Sequence, residues 1–224
     1  MKLRAFFYLF SLILFGSTAH ASSDAQLWID AGVAYRPTKK VKLALVQNIR
    51  LADNISQLDS LKTDLETEWK FKKWLRLGAG YRFSMETNKK GVLKPSHRLH
   101  IQGRLKESWG PVNISYRLRF QEGMEADDDG LELKHTLRNR IKAEFDTDTL
   151  VNPALAFELF TRFADKQAVQ WQKTRITTGL EIRPHKTQIF NVYYRLQVPT
   201  FDLEDPLEHI VGLSYTYRVP RKKK

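Results

Sequence analysis

The chain is predicted to be all-β: an antiparallel up-and-down transmembrane β-barrel of about ten strands, with twelve as the alternative count. Three observations predict it. Apolar and polar residues alternate with a period of two through almost the whole chain after residue 24. The connectors between the alternating stretches are short and long by turns. An export leader precedes them, and no later apolar run approaches the roughly 18 residues of a membrane-spanning helix.

Residues 1–21 read as that leader. Lys2 and Arg4 form a positive start, "AFFYLFSLILF" (5–15) an apolar core, and Ala19-His20-Ala21 an A-x-A cleavage site. The apolar core is short of the ~20 residues needed to span a bilayer, so an N-terminal anchor is the weaker reading of it. The expected organisation is therefore leader 1–21, one barrel domain over 22–219, and a basic tail over 220–224. The chain has no cysteine, so neither disulfide staples nor a lipid-modified N-terminal thiol is available. Loss of Lys2 and Arg4 with the leader lowers the formal charge from +12 to +10. Such a surface suits lipopolysaccharide phosphates, anionic lipids or small anionic solutes; export removes the chain from nucleic acid.

The segments follow in order. "AQLWIDAGVAYR" (25–36) alternates, although the strand count leaves its place in the wall open. "KVKLALVQNIRL" (40–51) sets Val41, Leu43, Leu45, Ile49 and Leu51 against Lys42, Asn48 and Arg50. In "LKTDLETEWKF" (61–71), Leu61, Leu65, Trp69 and Phe71 oppose Lys62, Asp64, Glu66, Glu68 and Lys70. "WLRLGAGYRFSME" (74–86) opposes Leu75, Leu77, Tyr81 and Phe83 to Arg76, Gly78, Gly80 and Arg82. "RLHIQGRLK" (98–106) carries Arg98 and Arg104, and "NISYRLRF" (113–120) opposes Arg117 and Arg119 to Ile114, Tyr116, Leu118 and Phe120. The pattern runs on through 131–145 with Arg138 and Arg140, then 152–163 with Glu158. It ends with 173–184 bearing Arg175, 188–198 bearing Arg195, and 208–219.

A soluble lipocalin-like barrel would alternate too, with its apolar face inward. Most of these segments are longer than the 5–6 residues of an average globular strand and reach the ~9–11 of a tilted membrane strand. Aromatic residues near segment ends (Trp28, Tyr35, Trp69, Phe71, Trp74, Trp109, Phe145, Phe163, Trp171) fit interfacial girdles. In the last strand, Gly212 ahead of Tyr215 and Tyr217 resembles the assembly signal of bacterial outer-membrane barrels, and the barrel-assembly machinery is the implied partner. The usual chain-terminal aromatic is replaced by "PRKKK" (220–224). A helix-free chain can cross lipid only as a closed barrel, which sends the apolar stripe to lipid and the charged stripe to the lumen. Placing the C-terminus in the periplasm puts the long connectors outside. Residues 25–36 would then start on the outer side, so leaving them out of the wall gives ten strands, and one further strand gives twelve.

With "GYRF" (80–83), "RLADN" (50–54) and its Tyr-Arg strands, the mature chain resembles an uncharacterised family of bacterial outer-membrane β-barrels known only as a domain of unknown function. The resemblance implies the fold and an outer-membrane location, and carries no catalytic residues.

The inward stripe holds Arg50, Arg76, Arg82, Arg98, Arg104, Arg117, Arg119, Arg138, Arg140, Arg175 and Arg195, and more basic than acidic residues overall. Ladder pairing absorbs part of this charge; the remainder demands water or anions. The expected function is a small anion-preferring pore or an anion-binding barrel. A structural barrel without transport and a soluble periplasmic binding barrel are the alternatives. No enzyme is expected. His97 and His100, three apart in a strand, face opposite sides, and His135 with Asn139 beyond it lacks a nearby serine. No metal or cofactor is expected: thiols are absent, and "EADDDG" (125–130) lacks the calcium-loop ligand pattern.

Overall fold

The computed structural model describes residues 23–88, 90–127, 130–164, 167–199 and 206–221. The leader, most of the basic tail and the acidic tip at 128–129 lie outside them. Eleven strands run in chain order: β1 (Ser23–Tyr35), β2 (Val41–Ala52), β3 (Gln57–Lys70), β4 (Leu75–Thr87), β5 (Leu93–Trp109), β6 (Val112–Asp127), β7 (Gly130–Phe145), β8 (Val151–Ala164), β9 (Gln167–His185), β10 (Gln188–Pro199) and β11 (Leu207–Arg218). Each pairs antiparallel with its sequence neighbours, and β1 meets β11 to close the barrel. Closure leaves no open edge.

The all-β, up-and-down barrel is as expected, but the strand number is eleven. The segment left out of the ten-strand count is a full wall strand. A meander with an odd number of strands brings its first and last strands round in the same direction, so they close as a parallel pair. The parallel ladder runs from Ser23↔Leu207 to Ala34↔Arg218. The even-number expectation assumes antiparallel closure, which this barrel does not use.

Strands also run further than the alternation suggests. β6 reaches Asp127 and β9 starts at Gln167, within segments expected to be loops. The connectors at the two ends are therefore similar in length: β1–β2, β3–β4 and β9–β10 are joined by five, four and two residues at one end, and β2–β3 and β4–β5 by four and five at the opposite one, so the expected alternation of short and long is not kept. In the β2–β3 turn, Asp53, Asn54 and Ile55 all have positive φ. Asn54 N donates to Asp24 Oδ1 at 2.8 Å and Ile55 N to Ala25 O at 3.0 Å, which pins the start of β1. The "RLADN" stretch is thus the clamp on the strand that closes the barrel.

Packing is inverted relative to a globular protein. Inward residues are polar and enclosed: Asn48, Ser60, Lys62, Asp64, Ser84, Ser96, His100, Gln102, Arg119, Gln121, Glu158, Arg175 and Gln197 are all buried. Outward residues are large and apolar, with Ile101 64% and Leu65 53% exposed. A soluble barrel hides its apolar stripe inside; this one displays it.

Candidate functional site

The alternation places every arginine assigned to the lumen on the inward side. Arg50 shares parity with buried Asn48, Arg76 and Arg82 with Ser84, and Arg98 and Arg104 with His100. Arg117 shares it with Arg119, Arg138 and Arg140 with Thr136, and Arg195 with Gln197; Arg175 is itself buried. Gly212 is inward as well, whereas Tyr215 and Tyr217 are on the outer stripe, Tyr215 packing on Phe190 with ring centroids 4.9 Å apart. A Cβ on Gly212 would land on the Tyr193 ring, so glycine there makes room for an inward aromatic.

The carboxylates are stretched by sharing. Glu158 takes Arg117 at 2.6 Å and Arg138 at 2.9 Å. Glu68 takes Arg76 and Arg104, each at 2.9 Å. Glu144 is shared by Lys142 and Arg183, and Glu132 by Lys134 and Arg162. Asp64 accepts two bonds from Arg82, at 2.6 and 2.8 Å, and a third from Asn48 Nδ2 at 3.1 Å. Arg119 meets Glu66 at 3.3 Å and donates twice to Gln102 Oε1. One carboxylate thus holds two cations at four places, which lets a minority of acids anchor a majority of bases.

Asp64, Glu66, Gln102 and Glu158, each bonded to an arginine, form a belt within the lumen beside buried His100, whose Nε2 has no hydrogen-bond partner. On the side of the β2–β3 turn lies a cavity of about 430 Å³. On the side of the β9–β10 turn, near Arg76, Arg104, Arg117, Arg140 and Lys142, lies another of about 250 Å³. The two share no lining residue, but a third cavity of about 170 Å³ shares Arg195 with the first and Arg140 and Lys142 with the second.

The larger chamber contains a cluster that the sequence pattern does not reveal. Trp28, expected in the outer girdle, is inward and 4% exposed, because it shares the parity of Gln26 and Asp30 rather than that of the outward apolar stripe. Three guanidinium carbons surround its ring: Arg50 at 3.8 Å, Arg195 at 4.9 Å and Arg175 at 5.2 Å from the centroid. Phe160, also 4% exposed and of the same parity as Glu158, carries Arg138 at 4.4 Å and Arg175 at 4.5 Å. Arg195 Nε donates to Thr177 Oγ1 at 3.0 Å, and Arg175 Nε donates to Gln197, whose amide donates on to Glu208. Arg50, Arg175 and Arg195 make no ion pair with a carboxylate among the described residues. A carboxylate holds an arginine and cancels its charge; an aromatic ring holds it and leaves the charge in place.

The histidines are spread over both faces. His100 is inward against Gly80, where a Cβ would strike its ring, and Gly80 opens the "GYRF" stretch for that reason. His97 is outward and bonds the Tyr81 hydroxyl at 2.7 Å. His135 is outward, 3.3 Å from Glu122, while Asn139 accepts from the Tyr116 hydroxyl instead of holding the imidazole. Among the described residues no three His, Asp or Glu side chains form a group able to hold a metal ion.

Against known proteins, residues 25–202 match the model of the family described as Protein of unknown function (DUF2490). The match covers most of the chain, which belongs to this family. No curated protein sequence matches it.

Proposed function

We propose that this DUF2490 protein is a bacterial outer-membrane barrel that binds small anions in the chamber nearer the β2–β3 turn. The supporting observation is the charge of that chamber: Lys62, Arg82, Arg119, Lys134, Arg138 and Arg162 in its wall are paired with carboxylates, while Arg50, Arg175 and Arg195 have none in ion-pair contact among the described residues. Fixed charge of one sign in a cleft with low-dielectric walls concentrates counter-ions. The exposed apolar wall and the leader-like residues 1–21 support the membrane placement, with outer-membrane lipid and lipopolysaccharide around the wall.

The belt between the two chambers favours binding over free passage. It is built from arginine–carboxylate pairs such as Glu158 with Arg117 and Arg138, and opening it leaves those charges without partners. No reaction is assigned to the barrel, since the outward histidines His97, His135 and His209 are engaged with Tyr81, Glu122 and Tyr194, and no serine bonds to them among the described residues.

Planar-bilayer recording together with calorimetric titration of sodium sulfate into the refolded barrel tests the proposal. Sulfate binding with little steady conductance is expected. Large steady conductance replaces binding with the pore reading; cation selectivity or no sulfate binding overturns the anion reading.

A further inference from the structure

We infer that Trp28, Arg50, Arg175 and Arg195 form a clasp for a phosphoryl group, so that the ligand of the chamber is a phosphate-bearing compound. The inference rests on the anion-binding reading above and deepens it.

Three guanidiniums from β2, β9 and β10 converge on one ring from β1, at 3.8, 5.2 and 4.9 Å from its centroid. Like charges brought this close repel, and no carboxylate among the described residues is in ion-pair contact with any of them. Asp30, two residues from Trp28 on the same inward stripe, acts electrostatically on Arg50 and Arg195 and forms no ion pair with either. Glu208 reaches Arg175 only through Gln197. The aromatic ring fixes the three cations without neutralising them. Their hydrogen-bonding capacity is also incompletely used: Arg50 Nε is enclosed and has no partner.

An anion that suits this cluster must answer more than one charge and accept from several planar N–H forks at once. A carboxylate offers one charge and two oxygens. A phosphoryl group carries close to two charges near neutral pH and three acceptor oxygens, and guanidinium forks match it in a bidentate manner. Lys173, which is 5.8 Å from the Phe160 ring and lines the same chamber, adds a further cation for a second phosphoryl or a linked oxyanion. The phosphoryl group has two sources, a soluble phosphate compound and a lipid headgroup that ends in a phosphomonoester, as phosphatidic acid does; a phosphodiester headgroup, with one charge and two free oxygens, falls short as a carboxylate does.

Inorganic pyrophosphate and acetate are titrated calorimetrically at low ionic strength into the refolded full barrel and into Arg50→Gln, Arg175→Gln and Arg195→Gln. Folding of each is checked by heat-modifiable gel mobility. Pyrophosphate is expected to bind the parent barrel far more tightly than acetate, and each variant about tenfold to a hundredfold more weakly, as loss of a charged hydrogen bond entails. Arg195→Lys keeps the charge and loses the fork, so its affinity is expected between those of the parent and Arg195→Gln; it also serves should the glutamine variant fail to fold. Arg183→Gln, at the far end of the lumen, is expected to bind as the parent does. Competition by dihexanoyl phosphatidic acid assigns a headgroup source, and failure to compete assigns a soluble one; either upholds the phosphoryl clasp. Pyrophosphate binding undisturbed in all three glutamine variants overturns the clasp and leaves the anion-binding chamber standing. No binding of any anion to the parent overturns both.

Discussion

The Arg50 guanidinium carbon lies 3.8 Å from the centroid of the Trp28 indole, and no carboxylate among the described residues forms an ion pair with that guanidinium. Elsewhere in the lumen the opposite solution operates, with one carboxylate serving two bases, as Glu158 does for Arg117 and Arg138. The barrel therefore holds its inward cations in two ways, and only the second neutralises them. This division separates a structural belt from a region left with charge to offer.

Glu158 is the most heavily used carboxylate of the belt, 5% exposed between two arginines. Glu158→Gln keeps the shape and removes the charge that both cations need. Breaking a buried pair costs about 3–5 kcal/mol, because the partner charge stays behind. Urea unfolding of the refolded barrel in detergent is expected to show a loss of that order. Glu132→Gln, whose partners are more open to water, is expected to cost about 1 kcal/mol or less.

Gly212 is a matter of space. Its missing side chain leaves room for the Tyr193 ring, with Trp28 paired to the same glycine across the β1–β11 seam. Gly212→Ala forces that ring aside and is expected to destabilise by about 1–3 kcal/mol, the usual cost of overpacking. Tyr193→Ala in the same chain is expected to abolish most of the penalty. If the double variant is no better than the sum of the two single ones, the contact is not the cause.

The parallel seam fixes where the chain's ends emerge. Ser23 begins β1 at the end of the barrel that holds the β2–β3 turn, opposite the β9–β10 turn at Lys186. The chain has no cysteine, so single cysteines report without background. With the C-terminal end of β11 on the periplasmic side, Ser23→Cys on intact cells is expected to react with a membrane-impermeant maleimide, and Lys186→Cys only after the outer membrane is broken. Labelling of both from the same side would exclude the eleven-strand topology.

Alternation alone makes the wall legible. Arg117 and Arg119 face inward opposite Ile114, Tyr116, Leu118 and Phe120, as the period of "NISYRLRF" implies. The closing strand is not legible in the same way, because pairing between Ser23 and Leu207 leaves no local trace in either segment. Trp28 and Phe160 are readable in principle: each shares the parity of polar neighbours, Gln26 with Asp30 and Glu158 with Arg162. For Trp28 a position near a strand end points to the girdle and parity points to the lumen, and parity is the better guide. Sharing of Glu158 by Arg117 and Arg138, or of Glu68 by Arg76 and Arg104, is beyond reach of the sequence, since it depends on the register of three strands at once.

The account rests on an inside-out barrel whose lumen admits anions to Trp28, and tryptophan quenching in bilayers tests this most directly. A variant keeping Trp28 alone, with Trp69, Trp74, Trp109 and Trp171 changed to phenylalanine, is reconstituted in vesicles of brominated and unbrominated lipid. Trp28 fluorescence is expected to be quenched by iodide, more weakly by caesium, and scarcely by brominated acyl chains. A parent barrel with Trp28→Phe, whose remaining tryptophans are all on the outside, is expected to respond strongly to the brominated lipid. Strong quenching of Trp28 by brominated chains, or its indifference to iodide, would contradict the account.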